Sequence, residues 1–200
     1  MEWSKLESVF LVIGILISPF VFAGQCSGVK KEKDYVVFPK AFFSSNADQL
    51  KTFLTRNSVI DVPQWYHWND SYYTFVSTTE MTWEDAANAC SSMRVDAHLV
   101  FIESELENKD VSRLAKVASE GRNNRWWIGL TDRVTEGVWK WYNVSLNYNN
   151  WRQGQPDNSG KNEDCGELGF RWNGDNAFWN DAPCTEQKKF ICESGLGNDL

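Results

Sequence analysis

The stretch from Gln155 to Asp181 constrains this chain most, because it places oxygen-bearing side chains around two cysteines. A hard cation such as calcium takes about six to eight oxygen ligands, which carboxylates and side-chain amides can supply. Asn, Asp, Gly and Pro are also ordinary loop residues, so a turn-rich loop is the competing interpretation. The order of carboxylates, amides and cysteines favours a cation site. Its oxygen donors are Gln155, Asp157, Glu163, Asp164, Asn180 and Asp181.

The overall charge narrows the class of partner. The 200 residues carry a formal net charge of −7, and no basic stripe is visible in the sequence. Nucleic-acid phosphates would be repelled by this balance, so we expect no nucleic-acid partner. The length suffices for one domain with a hydrophobic core and a short additional segment.

An apolar run over residues 9–23 lies near the start of the chain. It is short for a membrane span, which needs about twenty residues. Val21 and Ala23 are small residues at the positions that signal peptidase reads. We therefore expect residues 1–23 to be a signal peptide and the mature chain to be secreted and extracellular, with no membrane span. A signal anchor is the alternative, but the lysines that follow at 30, 31 and 33 oppose the positive-inside tendency.

Five cysteines in an exported chain predict disulfides, with one cysteine left over. The residues alone leave the pairing open. The Cys-x-x-Cys and Cys-x-x-His spacings of structural zinc sites are absent from the sequence.

Residues 24–63 are predicted to be a lead-in that contains one short helix. Ser45 or Asn46 can cap a helix from Ala47 to about Arg56. Two or three turns are not stable alone in water, so this helix must dock on another surface. It either serves as an oligomerisation arm or packs back on its own domain.

The next part of the chain predicts one strand and two helices. Residues 65–76 alternate as a strand. Thr82 is predicted to cap the first helix, and Ser104 the second, where Glu107 would complete a capping box. Helical spacing marks the buried residues as Ala86, Ala87, Cys90 and Met93 in the first helix and Leu106, Val111, Leu114, Ala115 and Ala118 in the second.

After Arg125 the sequence changes to short apolar runs separated by turns, which predict strands. Two helices followed by several short strands indicate an α+β domain with antiparallel sheets. The runs are residues 126–130, 138–142, 165–168, 178–179 and 190–192.

Four motifs resemble those of C-type lectin domains, and the resemblance covers roughly residues 65–193. They are Gln155-Pro156-Asp157, Glu163-Asp164-Cys165, Trp179-Asn180-Asp181 followed by Cys184, and Trp127-Ile128-Gly129-Leu130. The resemblance implies a lectin domain over residues 64–194, followed by a tail at 195–200. It implies two helices packed on short antiparallel sheets, with a long calcium-binding loop region.

The resemblance also implies a disulfide pairing, Cys90 with Cys192 and Cys165 with Cys184. Cys26 is then the odd cysteine. It either joins two chains in a disulfide-linked homodimer or remains a capped or free thiol.

A sugar-binding calcium site is implied by the same motifs. Its calcium ligands, which also contact the sugar, would be Gln155, Asp157, Glu163, Asn180 and Asp181, with Pro156 in the cis form. A second calcium site is implied at Asp132, Glu136, Asn158, Glu163 and Asp164, although Asn158 stands where the family usually has an aspartate. A solvated acidic turn is the competing interpretation of this second set.

The Gln155-Pro156-Asp157 triplet resembles the galactose type of the motif, whereas mannose-type members carry Glu-Pro-Asn. Exchanging amide and carboxylate reverses which sugar hydroxyl meets a donor, so the 4-hydroxyl orientations are distinguished. Ser159 stands where galactose-type members often begin a loop that carries a stacking tryptophan. Trp172 is either a substitute for that ring or part of the core.

The leading hypothesis is a secreted calcium-dependent lectin for galactose or N-acetylgalactosamine. Its partners would be glycans or glycoproteins, including microbial surface sugars. The alternative is a domain in which calcium is only structural and a protein, lipid or ice surface is bound. We expect no enzymatic activity, because His67 and His98 lie far from the acidic stretch and no nucleophile signature occurs. Asn69 and Asn143 fit the N-glycosylation pattern.

Overall fold

The computed structural model describes residues 30–32, 35–37, 64–94, 96–119, 124–170 and 177–195. The expected signal peptide, Cys26, the helix at 47–56 and Trp172 lie outside these residues. The described strands are β1 (Lys30–Glu32), β2 (Tyr35–Val37), β3 (Trp65–Trp68), β4 (Ser71–Met81), β5 (His98–Leu99), β6 (Arg125–Thr131), β7 (Lys140–Trp141), β8 (Val144–Ser145), β9 (Cys165–Phe170), β10 (Ala177–Ala182) and β11 (Lys188–Gly195). The described helices are α1 (Trp83–Met93), α2 (Glu105–Ala118) and one 3-10 turn at Ser159–Lys161.

The strands join in the order β1-β2-β3-β4-β11-β6-β7-β8, with β5 on β11, β9 on β6 and β10 on β9. Two α-helices with this sheet confirm the α+β class. Most of the described strand pairs are antiparallel, as expected, whereas β11 pairs with β6, and β2 with β3, in parallel. Strands that are distant in sequence meet in these pairs, and local alternation does not report their relative direction.

The strand predicted over residues 65–76 is a hairpin instead. β3 ends at Trp68, and Asn69 adopts a positive φ of 54° before β4 begins at Ser71. A short polar side chain tolerates this left-handed conformation, which explains why the chain turns here. The predicted strand at residues 138–142 is also shorter, and only Lys140–Trp141 pairs as β7.

Both predicted helix caps are present. The Thr82 hydroxyl accepts from the backbone nitrogen of Asp85, and the Ser104 hydroxyl accepts from that of Glu107. The prediction that the Glu107 side chain completes a capping box with Ser104 is wrong. Its carboxylate accepts hydrogen bonds from the backbone nitrogen of Glu103 and from the Tyr73 hydroxyl instead. Tyr73 is 34 residues away and buries this carboxylate against β4.

The buried stripe of α2 also differs from the prediction at one position. Leu106 is 70% exposed, whereas Val111, Leu114 and Ala115 are buried. Glu107 is buried at the position in the helix where Leu106 was expected, because its carboxylate accepts a hydrogen bond from the Tyr73 hydroxyl.

Strand β6 runs through the centre of the core. Trp126, Trp127, Ile128 and Leu130 are fully buried along it. A Cβ on Gly129 would lie 2.6 Å from the Phe101 ring and 2.7 Å from the Leu99 carbonyl oxygen, so this position requires glycine. The expected disulfides are confirmed at Cys90–Cys192 and Cys165–Cys184. The second of them joins the start of β9 to the turn that follows β10.

Candidate functional site

Two antiparallel strands and one loop position the acidic stretch. β9 and β10 pair with Asn180 opposite Glu167 and Asp181 opposite Gly166. The preceding loop is tied to β10 because Trp179 donates its backbone nitrogen to the Asn150 carbonyl at 2.9 Å, and Arg152 donates to the Trp179 carbonyl at 2.9 Å. The Gln155–Pro156 peptide bond is cis, as expected. The loop therefore returns beside the end of β10.

Three carboxylates converge at this place. One carboxylate oxygen each from Asp157, Glu163 and Asp181 lies within 4.8 Å of the other two. Over the described ranges, no other three His, Cys, Asp or Glu side chains come together so closely. Asp157 is exposed, Glu163 is half-buried and Asp181 is buried, so the cluster opens to solvent on one side.

Backbone hydrogen bonds hold the carboxylates in place. Oδ2 of Asp181 accepts from the backbone nitrogens of Asp157 at 2.9 Å and Asn158 at 2.7 Å. Oε2 of Glu163 accepts from the backbone nitrogen of Ser159 at 2.8 Å. Oδ1 of Asn158 in turn accepts from the backbone nitrogen of Glu163 at 3.1 Å. These bonds fix the loop while using only part of the acceptor capacity of the carboxylates.

Two buried oxygens at the site have no hydrogen-bond partner. They are Oδ1 of Asp181 and Oε1 of Gln155. A buried polar atom without a partner costs about 1–3 kcal/mol, so a bound ion or water at these two oxygens would stabilise the domain. Carboxylate and amide oxygens are calcium ligands, and the residues present therefore fit that ion.

Electrostatics at the site also favours a cation. Burial raises the pKa of Glu163 and of Asp181 above their ordinary values, and the nearby Asp157 carboxylate raises both further. Crowded carboxylates disfavour their own charged forms, and a bound cation reverses this effect.

Asn180 precedes Asp181 on β10, and its described hydrogen bonds go to other groups than the three carboxylates. Its Nδ2 donates to Oε1 of Glu167 at 3.1 Å and also contacts the carbonyl oxygen of Asp181. The sequence interpretation missed Glu167, which is fully buried and pairs with Arg125 and Lys188. The available signal was a charged residue inside the apolar run of residues 165–168.

The predicted second set is looser than the first. Asp132 is buried, its Oδ2 accepts from the backbone nitrogen of Gly137 at 2.8 Å, and its Oδ1 has no hydrogen-bond partner. Burial raises the pKa of Asp132, with smaller contributions from Glu136 and Asp164. Within the described part of the chain, the carboxylates of this set form no three-membered group as close as that of Asp157, Glu163 and Asp181.

A family model described as "Lectin C-type domain" matches residues 79–194, more than half of the chain. The chain belongs to the C-type lectin domain family. This membership supports the expectation that it is not an enzyme.

Relatives of this C-type lectin domain protein include proteins that are themselves named as lectins. The galactose-specific lectin nattectin of Thalassophryne nattereri is 35% identical over 145 residues, which are 72% of this chain and 86% of nattectin. The hepatic lectin of Gallus gallus is 34% identical over 66% of this chain, and the match spans only 59% of that lectin.

Solved structures agree with the fold. The carbohydrate-recognition domain of the mouse scavenger receptor C-type lectin is 35% identical with a TM-score of 0.57, over 66% of this chain and 96% of that one. The herring type II antifreeze protein is 29% identical with a TM-score of 0.55, over 66% of this chain and 97% of that one. None of the helices in the described residues has the length and apolarity of a membrane span.

Proposed function

We propose that this domain is a secreted lectin that binds galactose-type glycans through calcium held by Gln155, Asp157, Glu163, Asn180 and Asp181. The observation that carries the proposal is the convergence of three carboxylates beside two buried oxygens without partners. An oxygen-only donor set of this kind suits calcium. The partners would be glycans or glycoproteins, including those on microbial surfaces.

The side chains of this set would make different contacts with the sugar. When bound, calcium supplies coordination positions that two adjacent sugar hydroxyls can fill. The carboxylates of Asp157 and Glu163 would accept hydrogen bonds from these hydroxyls, and the amide of Gln155 would donate to them. One monosaccharide buries little apolar area, so single-site affinity should be weak, about millimolar, and repeated sites would increase it.

The preference for galactose rests on the Gln155-Pro156-Asp157 triplet. The similarity to nattectin, whose name describes it as galactose-specific, supports this preference. Ser159 is exposed and carries no ring, so stacking on the sugar must come from elsewhere. Trp172 stays a candidate for that role.

Two further assignments belong to the proposal. Asp132, Glu136, Asn158, Glu163 and Asp164 would hold a second, structural calcium. Asn69 and Asn143 are exposed and available to carry N-linked glycans.

A second candidate function is binding of a protein, lipid or ice surface, with calcium only structural. The likeness to the herring antifreeze protein favours keeping this candidate. The sugar hypothesis is preferred because all five oxygen donors of the sugar-binding set are present. A domain that does not bind sugar does not need all five.

Affinity chromatography tests the proposal. The protein is applied to galactose and mannose resins with calcium and then washed with chelator. We expect retention on galactose resin that chelator releases, and no retention of Asp181→Asn. Retention that survives excess chelator, or absence of retention on both resins, would contradict the mechanism.

A further inference from the structure

The side-chain amide of Asn180 has to face one way to serve as a ligand. Its oxygen can bind a cation and its nitrogen cannot, so an amide turned by 180° would present the wrong atom. In the structure Nδ2 lies 3.1 Å from Oε1 of Glu167 and against the carbonyl oxygen of Asp181. Two acceptors therefore surround the nitrogen, and the reversed amide would bring its oxygen against both of them.

Glu167 is built into the fold at the place where it can hold this amide. It stands directly opposite Asn180 in the β9–β10 register and opposite Trp127 in the β9–β6 register. Its side chain is fully buried. A backbone paired on both sides leaves the carboxylate little freedom to move away from Asn180.

Two cationic side chains, Lys188 and Arg125, compensate the negative charge of the buried Glu167 carboxylate. Nζ of Lys188 lies 3.1 Å from Oε2, and the Arg125 guanidinium contacts Oε1, the oxygen that also accepts from Asn180. Lys188 is itself nearly buried and lies 4.7 Å from the centre of the Trp127 ring. A buried carboxylate needs such partners, and a charged acceptor makes a stronger hydrogen bond than a neutral one.

We propose that Glu167 is a positioning residue that holds the Asn180 amide with its oxygen available to the cation site. This inference rests on the proposed function, because the orientation matters only if Asn180 is a ligand. A purely structural role is the competing explanation, in which Glu167 only neutralises Lys188 and Arg125.

The first test measures calcium affinity by titration calorimetry in Glu167→Gln. Mutation of a residue that hydrogen-bonds to a metal ligand typically lowers metal affinity by about 10–100-fold, and we expect a loss of calcium affinity of about tenfold. Glu186→Gln is the matched control, because Glu186 also pairs with Lys188, is half exposed, and has no contact with Asn180 among the described interactions. We expect the control to keep the parental affinity. An equal loss of calcium affinity in both variants would show that the effect comes from the unpaired charge of Lys188, and it would overturn the inference.

The second test combines Glu167→Gln with Asn180→Ala. With the amide removed there is no ligand oxygen to orient, so Glu167→Gln should no longer weaken calcium binding in the Asn180→Ala background. A structural role predicts the same fold loss in both backgrounds. That result would overturn the inference.

A measurement on the calcium-free parent covers the case in which Glu167→Gln does not fold. The side-chain amide protons of Asn180 should exchange with water much more slowly than those of Asn88, which is exposed. Exchange as fast as at Asn88 would overturn the inference. If the parent binds no calcium, the proposed function fails; if it binds calcium and Glu167→Gln binds equally well, only the role of Glu167 fails.

Discussion

The backbone nitrogen of Asp157 donates to Oδ2 of Asp181 at 2.9 Å, and so joins the loop to β10 across 24 residues. The other oxygen of Asp181, Oδ1, is buried without a partner. One side chain thus holds the loop with one oxygen and leaves the other oxygen without a hydrogen bond.

Calcium is therefore expected to stabilise the domain. At a calcium concentration of about 100 times Kd, the gain is about 2.7 kcal/mol, on the order of 5–10 °C in Tm for a domain of this size. Asp181→Asn removes a charged ligand and should abolish most of this gain. Thermal melts with calcium and with chelator measure it. Asp96→Asn, at an exposed position with positive φ where Asn is well tolerated, should keep the full gain.

Acid should weaken calcium binding. The pKa values of Glu163 and Asp181 are raised by burial in the calcium-free fold, so protons compete with calcium at milder acidity than for ordinary carboxyls. A protonated carboxyl is a poor ligand, so the apparent Kd for calcium should rise at least several-fold from pH 7 to pH 5. Calorimetric titrations at pH 7, 6 and 5 measure this, and a constant Kd would contradict it.

The Glu107 carboxyl predicts a pH dependence of stability that is separate from the calcium site. Burial raises its pKa from 4.5 to about 7, and the neighbouring Glu193 adds to the rise. Because the folded state binds the proton more tightly, this contribution is complete below pH 4.5 and is lost as the pH rises through 7. The loss is on the order of 3 kcal/mol.

Urea unfolding in chelator between pH 5 and pH 8 tests this dependence. Glu107→Gln should flatten the decline in the free energy of unfolding. Glu105→Gln alters an exposed carboxylate on the same helix and should leave the slope unchanged. Equal slopes in all three proteins would show that Glu107 does not titrate as described.

Exchanging the triplet residues should change the sugar preference. Gln155→Glu together with Asp157→Asn keeps the oxygen count and the net charge, so calcium affinity should survive while donor and acceptor exchange places. Mannose should gain relative to galactose by roughly fivefold, about 1 kcal/mol, because no ring at Ser159 reinforces galactose binding. Glycan binding at saturating calcium measures the ratio.

The matched control for this exchange is Gln187→Glu with Asp96→Asn, which makes the same chemical changes outside the triplet. It should keep the parental order of sugars. If the triplet variant also keeps that order, selectivity lies elsewhere, with Trp172 as the next candidate.

Cys26 is expected to link two chains once the other four cysteines are paired. The secreted protein should then run as a dimer on a non-reducing gel, and Cys26→Ser as a monomer. Dimers would raise avidity for clustered glycans without any new sugar contact. An identical gel pattern for both proteins would end this hypothesis.

Sequence by itself was sufficient where a pattern depends on near neighbours. The caps at Thr82 and Ser104 involve partners three residues away, and the cis Gln155–Pro156 bond follows from a contiguous motif. The donor types of the cation site were also readable, because Gln155, Asp157 and Asp181 belong to short motifs.

Tertiary structure alone decided the partners that come from distant strands. Glu107 binds Tyr73 across 34 residues instead of completing its capping box, and Glu167 meets Asn180 because β9 and β10 pair in one register. A local pattern reports which face a residue prefers, whereas the identity of its partner depends on how strands far apart in sequence align. For that reason the sequence could name Asn180 as a proposed ligand, whereas its hydrogen-bond partner Glu167 could not be predicted.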